Sequence, residues 1–419
     1  MRILFLSHYF PPEVNAPANR TFEHTREWVR MGHEVHVVTC VPSHPRGKPF
    51  PGYRRRWYQR EVVEGIHVHR VWTFLAPNAG VVRRSLNYTS FVPTAVWRAL
   101  RLGRFDVIVA TSPQFFCAVA GWLAGFLKRT RWVFELRDLW PESVAAVGAL
   151  RRSLALRLVE RLELHLYRSA TRVVCLTRSF VANLERRGIP TDKLVIVPNG
   201  VDLDYWAAGS AESVRRELGV EPGEPLVSYI GTVGMAHGLA AVLEAARTLA
   251  LTHPHMRLVI VGDGAELTRL QDEHRKGGHA NVVFTGLVPH ERARDIMAAS
   301  DVALVLLKRS DLFLTVLPSK MFEAMGAGKP IVLGVAGEAR ETLQRAEAGI
   351  AITPESAEEL AAAIRTLADD ESLCRRMGEA GRRFAVAECD RQVLARRMLD
   401  VLAGVTTGVA DRRDAGDEL

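Results

Sequence analysis

The chain has 419 residues, 48% hydrophobic and 24% charged, an ordinary balance for a folded protein that excludes disordered, collagen-like and low-complexity classes and suits two domains better than one. Its five cysteines (Cys40, Cys117, Cys175, Cys374, Cys389) form no C-x-x-C pair and no metal-ligand spacing, so neither a disulfide framework nor a structural zinc site is expected. Residues 1–205 carry 30 Lys/Arg against 16 Asp/Glu, a net of +14, and the remainder carries 25 against 31, a net of −6, so the first half is expected to meet phospholipid headgroups, a lipid-linked phosphate or nucleic acid.

Apolar runs bounded by turn residues alternate with longer amphipathic stretches, the pattern of repeated βαβ units and an α/β fold. Arg2–Ser7 is too short for a signal-peptide core and reads as a first strand. Further strands are expected near 34–40, 67–72, 106–112, 131–137, 172–177 and 194–198, with helices over 19–31, 154–167 and 179–187. The longest apolar run, Phe115–Leu127, is too short to span a bilayer and reads as a buried helix. His33-Glu-Val-His36 and His67-Val-His69 fall on strands, where alternation sends side chains to different faces, so surface histidines are expected rather than ligands.

Gly209, Gly219, Pro222, Gly223 and Pro225 break the series, which places a domain hinge near 204–225. A second series of strands is expected near 226–231, 256–262, 282–286, 302–307, 330–334 and 350–353, with helices over 239–251 and 357–367. Two doubly wound, Rossmann-like domains, 1–205 and 206–389, are expected to face a central cleft with the carboxyl ends of their strands. A helix over about 390–403 is expected to pack back on the first domain, and 406–419 reads as a disordered tail.

The most informative segment is Leu317-Pro-Ser-Lys-Met-Phe-Glu-Ala-Met-Gly-Ala-Gly-Lys-Pro330. Pro318 and Ser319 suit a helix start, whose free N–H groups and dipole attract an anion, and Lys320 adds a full charge. Glu323, one turn on, is placed to accept hydrogen bonds from vicinal hydroxyls such as those of a ribose. From these residues alone, a nucleotide diphosphate site and an ordinary capped helix are equally good readings. Asp202-Leu-Asp204 has the D-x-D form of metal-dependent sites but reads as a turn. Gly326-Ala-Gly-Lys-Pro330 lacks the glycine and hydroxyl residue of a phosphate loop, and Gly262-Asp-Gly264 lacks the third glycine of a dinucleotide fingerprint. Tyr53-Arg-Arg-Arg-Trp-Tyr58 reads either as a solvated loop or as a surface for an anionic headgroup or a nucleic acid.

These segments together resemble glycosyltransferase family 4, whose members have the GT-B fold and transfer sugars from nucleotide donors. The resemblance covers nearly the whole chain. It rests on Val197-Pro-Asn-Gly-Val-Asp202, Gly262-Asp-Gly264, Phe284-Thr-Gly-Leu-Val-Pro289 and Glu323-Ala-Met-Gly-Ala-Gly-Lys-Pro330, in this order and spacing. His8-Tyr-Phe-Pro-Pro-Glu13, Glu135-Leu-Arg-Asp-Leu-Trp-Pro-Glu-Ser143 and Gly231-Thr-Val-Gly-Met-Ala-His-Gly238 are similar to the bacterial subgroup associated with O-antigen and colanic-acid type polysaccharides, some of which are assigned as N-acetyl-fucosamine transferases.

The resemblance implies a retaining, metal-independent transferase with no cofactor, cytoplasmic or peripheral at the inner face of the cell membrane. A nucleotide-sugar donor, with UDP first among bases, and a glycan or polyprenyl-diphosphate-linked acceptor are implied, and no nucleic acid. It makes Glu323 the second glutamate of an E-x7-E motif, on the donor ribose, while Thr315 stands where the first glutamate is usual. Thr315, Val316, Leu317 and Ser319 are then expected near the sugar and diphosphate, and Gly286, Leu287 and Val288 near the base. Thr232 or Val233 and His237 stand where relatives carry Arg and Lys, so phosphate binding leans on Lys320. Arg137 stands where His is usual and Asp138 remains, both beside the reacting sugar. Ala16 and Ala18 replace glycines of a loop that approaches the diphosphate, and Asn199 belongs to the segment before the hinge. Rival readings are a nucleotide-sugar 2-epimerase of the same architecture, a non-catalytic sugar-nucleotide sensor and a nucleic-acid binding protein.

Overall fold

The computed structural model describes residues 1–13, 15–44, 46–76, 81–139 and 154–407, which form two compact units, one spanning Met1–Asn199 plus the segment from Gln392 onward and the other spanning Gly200–Arg391. In the first unit, strands β1 (Arg2–Leu6), β2 (Glu34–Cys40), β3 (Tyr58–Val63), β4 (Ile66–Val71), β5 (Val107–Thr111), β6 (Trp132–Leu136), β7 (Arg172–Cys175) and β8 (Leu194–Ile196) form one sheet in the order β3-β4-β2-β1-β5-β6-β7-β8. All neighbours are parallel except β3, which pairs antiparallel with β4. In the second unit, β9 (Leu226–Ile230), β10 (Arg257–Val261), β11 (Val282–Gly286), β12 (Val302–Leu306), β13 (Ile331–Gly334) and β14 (Gly349–Ala351) form an all-parallel sheet in the order β11-β10-β9-β12-β13-β14. Central strands such as β5 (VIVAT) and β12 (VALVL) are buried throughout, because helices cover both sheet faces and no polar alternation is needed.

The helix Arg391–Thr407 belongs to the first unit from Gln392 onward. Leu394, Ala395, Met398, Leu402 and Val405 share one of its faces and join Ile3, Phe5, Trp28 and Val35 in a core. Trp28 Nε1 donates to Ala395 O at 2.8 Å, and Arg131 donates to Val405 O. The run Phe115–Leu127 is the helix Phe115–Lys128, set against β5 so closely that a Cβ on Gly121 would lie 2.3 Å from Ala110 Cβ.

Several expectations need correction. The pair β3 and β4 is a hairpin turned by Glu64 and Gly65, both at positive φ, and β3 was not expected because it is short and its first four residues, YQRE, carry no apolar alternation. The helix Val81–Arg101 was also not expected, since Pro93 sits inside it where proline ordinarily ends a helix. Asp202 is a helix cap rather than a turn residue, its side chain accepting from Tyr205 N at 2.9 Å. Thr406 and Thr407 are helical, and the rest of the proposed tail lies outside the described residues. His36 and His69 are buried rather than superficial, because β2 and β4 are adjacent parallel strands that bring the two histidine pairs together.

Candidate functional site

In the second sheet the chain runs outward from β9 to β10 and β11 on one side and from β12 to β13 and β14 on the other. The β9–β12 junction is therefore the topological switch point, where the loops leaving the two strands diverge and open a crevice. The loop after β9 begins at Gly231 (φ 141), and glycine is required there: a Cβ would lie 2.2 Å from Lys320 Cε and 2.3 Å from its Nζ. A Cβ on Gly262 would meet Gly231 O at 1.9 Å, so the β9 and β10 loops touch backbone to backbone. Lys308 N, just beyond β12, donates to Ala236 O at 2.8 Å and ties the two switch-point loops together.

Lys320 lies in the first turn of the helix Ser319–Gly326. Pro318 occupies the cap position and no side chain caps the helix, so no side-chain acceptor takes its leading N–H groups. The Lys320 ammonium sits 4.1 Å from the Tyr229 ring centroid and donates to Tyr229 Oη at 2.6 Å, while that hydroxyl donates to Thr232 O at 2.7 Å. Burial pulls the Lys320 amine down to about 8, opposed by Glu323. Burial pushes the Glu323 carboxyl up, opposed by Arg391 and Lys320. The His237 ring, with Nδ1 3.3 Å from Gly234 O, is lowered by burial and then by Lys320, so it stands neutral beside a cation.

Lys320, Glu323, His237 and Thr232 are thus brought around one end of the second sheet. Tyr229 completes the group and was missed, since a tyrosine in the apolar run LVSYI reads as core. Thr315 ends a 3-10 turn, Asp311–Thr315, and Val316 and Leu317 lead from it, half-buried, into Pro318. A cavity beside this loop is lined by Lys308, Ser310, Phe313, Ala336, Arg340 and Thr353. Gly286 (φ 70) accepts from Gly262 N at 2.9 Å, and Leu287 beyond it is 80% exposed. Val288 packs on a smaller apolar cluster with Ile296 and Ala299.

Arg137, Asp138, Ala16 and Asn199 lie in the first unit. Arg137 N donates to Ser112 Oγ at 2.7 Å, and its Nε and Nη1 are buried without a hydrogen-bond partner. Burial lowers this guanidinium to about 10, with Glu135 opposing. Glu135 is fully buried against Arg20 at 2.8 Å; burial raises its carboxyl, but Arg20, Arg137 and His24 outweigh that and bring it down to about 2. Arg20 also donates to Pro198 O and, at 2.8 Å, to Val197 O, which fixes the segment that holds Asn199. Ala16 is exposed at the start of the helix Ala16–Arg30, which Asn15 caps by accepting from Ala18 N at 2.9 Å. Glu13, also missed, is buried and accepts from Ser43 N at 2.8 Å and His44 N at 2.9 Å, and burial pushes its carboxyl up. Its signal was present in His8-Tyr-Phe-Pro-Pro-Glu13, where a carboxylate follows two prolines at a strand end.

A family model described as "Glycosyl transferase 4-like domain" matches residues 15–200, and a second, "Glycosyl transferases group 1", matches 210–384. The chain belongs to the family 4 glycosyltransferases. The transferase is 25% identical to the putative colanic acid biosynthesis glycosyl transferase WcaI of Escherichia coli over 96% of this chain and 100% of that one. It is 28% identical to the 2-deoxystreptamine N-acetyl-D-glucosaminyltransferase of Streptomyces fradiae, over 82% of each chain. Among solved structures, the sucrose-phosphate synthase of Thermosynechococcus elongatus superposes with a TM-score of 0.75 at 19% identity, covering 97% of this chain and 99% of that one. Anabaena Alr3699/HepE in complex with UDP superposes with a TM-score of 0.70 at 19% identity, covering 96% and 100%. The fold is GT-B, and the enzyme is a hexosyltransferase-type glycosyltransferase that uses a nucleotide-sugar donor.

Proposed function

We propose that the transferase moves a sugar from a UDP-linked donor, with retention of configuration, onto a glycan or polyprenyl-diphosphate-linked acceptor during assembly of a bacterial surface polysaccharide. The similarity to WcaI supports the polysaccharide role, and the UDP complex of HepE supports the base. The observation that carries the reading is Lys320, seated on Tyr229 in the first turn of a helix whose N-terminus no side chain caps, at the switch point. Diphosphate is a dianion or trianion at neutral pH, and this corner supplies one full charge and several N–H donors.

As the glycosidic C–O bond to the diphosphate breaks, negative charge grows on the leaving oxygen. Lys320 and the N–H groups at the helix start stabilise it most at that moment, without a metal ion in the transfer step. Lowered to about 8, the Lys320 amine has little margin alone and regains full protonation when a diphosphate arrives. Glu323 accepts from the ribose hydroxyls, the backbone of Gly286, Leu287 and Val288 meets the base, and Thr315, Val316 and Leu317 face the sugar. Arg137 and Asp138 act on the acceptor side. The first carboxylate of the Asp202-Leu-Asp204 pair caps its own helix, accepting from Tyr205 N through Oδ1.

The acceptor places the enzyme at the inner face of the cell membrane. Trp57, 59% exposed, stacks on Trp72 at 6.0 Å and meets Trp97 edge-on at 6.3 Å, while Arg55 covers Trp72 at 5.2 Å and Arg101 covers Trp97 at 4.5 Å. Indole rings among guanidinium groups suit an anionic headgroup layer. Among the described residues no helix is long and apolar enough to cross a membrane.

The deciding experiment is a melting-temperature panel with UDP, GDP, TDP, CDP and ADP and their sugar conjugates, each with and without EDTA. A selective rise with UDP that survives EDTA is expected, because a ligand that binds only the native state stabilises it by mass action. A rise only with another base, or one abolished by EDTA, would refute the donor or the metal-free transfer step respectively.

A further inference from the structure

A group of side chains unused by the transfer chemistry lies on one face of the first sheet. Glu34 and His36 are two residues apart on β2 and so share a face, and the parallel register sets His36 opposite His67 on β4. One ligand atom from each of Glu34, His36 and His67 lies within 4.8 Å of the others. His36 Nε2 is already 2.8 Å from Glu34 Oε1, and the His36 and His67 ring centroids are 4.8 Å apart. Glu34 is exposed and His67 half-buried, so the trio is open to solvent on one side. Behind it, buried His36 is held by a second layer: its Nδ1 is 3.0 Å from His69 Nε2, and His69 Nδ1 is 3.0 Å from Tyr58 Oη.

We propose that Glu34, His36 and His67 form a binding site for a borderline transition-metal cation of the Zn2+, Co2+ or Ni2+ class, separate from the transfer site. Two imidazoles and one carboxylate suit such ions and not Mg2+ or Ca2+, which take oxygen ligands. Three protein ligands leave a fourth position for water. With metal–ligand bonds of about 2.0 Å, tetrahedral ligand atoms lie roughly 3.3 Å apart, so no pair needs to close by more than about 1.5 Å. Rotation of the exposed Glu34 and half-buried His67 side chains supplies that closure, while His36 stays fixed.

The second layer matches what a metal-bound imidazole needs. When His36 ligates through Nε2, its Nδ1 carries the proton and donates it to His69 Nε2, and His69 Nδ1–H then donates to Tyr58 Oη. Protons shift along this chain, and Arg98, a donor only, gives up its 3.4 Å contact with His69 Nδ1. Three arginines oppose the cation: Arg2 Nε is 3.0 Å from Glu34 Oε1, Arg60 Nη2 is 3.4 Å from His67 Nδ1, and Arg98 Nη2 is 3.4 Å from His69 Nδ1. The contacts of Arg2 and Arg60 are exposed, so both side chains can turn into solvent, but their charge lowers the affinity for the cation.

Glu34 opens β2, and His67 is the second residue of β4, whereas the loops expected to meet substrate leave the opposite, carboxyl ends of parallel strands. The ion therefore joins β2 to β4 and acts on stability rather than on transfer. The test uses the full-length protein stripped with EDTA, titrated with Zn2+ by calorimetry and with Co2+ by visible absorption. One equivalent is expected to bind, to raise the melting temperature and to give the d–d bands of four-coordinate Co2+. His67→Gln and Glu34→Gln are each expected to weaken binding at least about tenfold. His165→Gln, at a ring that packs edge-on against Trp122, should leave binding unchanged. Matching melting temperatures of the metal-free variants exclude a folding defect. Absence of saturable binding to the unsubstituted protein, or equal affinity in both Glu34→Gln and His67→Gln, would overturn the proposal.

Discussion

Replacing Lys320 with Met tests the donor site through stability and binding together. The amine falls from 10.5 to about 8 because burial penalises its charged form, a difference worth about 3 kcal/mol at 1.36 kcal/mol per unit. The unfolded chain binds more protons than the native one between pH 8 and 10.5, so native stability rises as pH climbs through that window and the full penalty is present at pH 7. Methionine keeps the stem and removes the charge. It also forfeits the cation–π contact with Tyr229, worth about 1–2 kcal/mol when desolvated, so the net gain at pH 7 is about 1–2 kcal/mol. For a unit of this size that is a rise of a few degrees in melting temperature. The same change removes a charge-assisted bond to diphosphate, worth about 1.5–3 kcal/mol, so UDP should bind about 10- to 150-fold more weakly while uridine is unaffected. The assays are thermal melts from pH 6.5 to 10.5 and calorimetric titration with UDP and with uridine. A less stable Lys320→Met protein that binds UDP normally would refute both the burial argument and the placement of the diphosphate.

Three further substitutions address the other parts of the molecule. Glu323→Gln should weaken UDP about tenfold and, because the carboxyl is raised above 4.5, should abolish the component of native stability that declines as pH rises through the raised value; UDP titrations and melts from pH 4 to 8 check both. Glu135→Gln leaves Arg20 buried without its counter-charge and should cost about 3–5 kcal/mol by denaturant unfolding. In the unsubstituted protein the Glu135 contribution, about 3 kcal/mol from a carboxyl lowered from 4.5 to about 2, is present above pH 4.5 and lost as pH falls toward 2. Trp57→Ala should reduce sedimentation with vesicles containing anionic lipid several-fold without altering UDP binding, and unchanged sedimentation would remove that face from the membrane contact.

Much of the second unit was legible because its strands are short apolar runs bounded by turn or polar residues, such as Gly231 after β9, Gly262 after β10 and Asp301 before β12, and a buried parallel sheet leaves no other way to write them. Lys320 and Glu323 were legible only as candidates, because a cation at a Pro-Ser helix start suits an anion and a carboxylate one turn on suits hydroxyls, while an ordinary capped helix explains the same residues equally well. Tyr229 was not, because its function depends on which lysine the fold lays across it. The helix Val81–Arg101 hid behind Pro93, whose missing N–H would ordinarily end a helix. The histidines misled because period-two alternation is a property of one strand, whereas His36 meets His67 and His69 only through the register of β2 on β4. Pairing across strands far apart in the chain has no local signature.

The return of the helix Arg391–Thr407 to the first unit has a consequence for the order in which the protein acquires its structure. On a ribosome the first unit emerges early but lacks Leu394, Met398 and Leu402, so Phe5, Trp28 and Val35 stay partly uncovered while almost 200 further residues are made. The second unit, contiguous in sequence, has all its parts before the first does. The domain begun first is therefore finished last, and a chain stopped at Arg391 would keep a complete second unit while leaving the first unsealed.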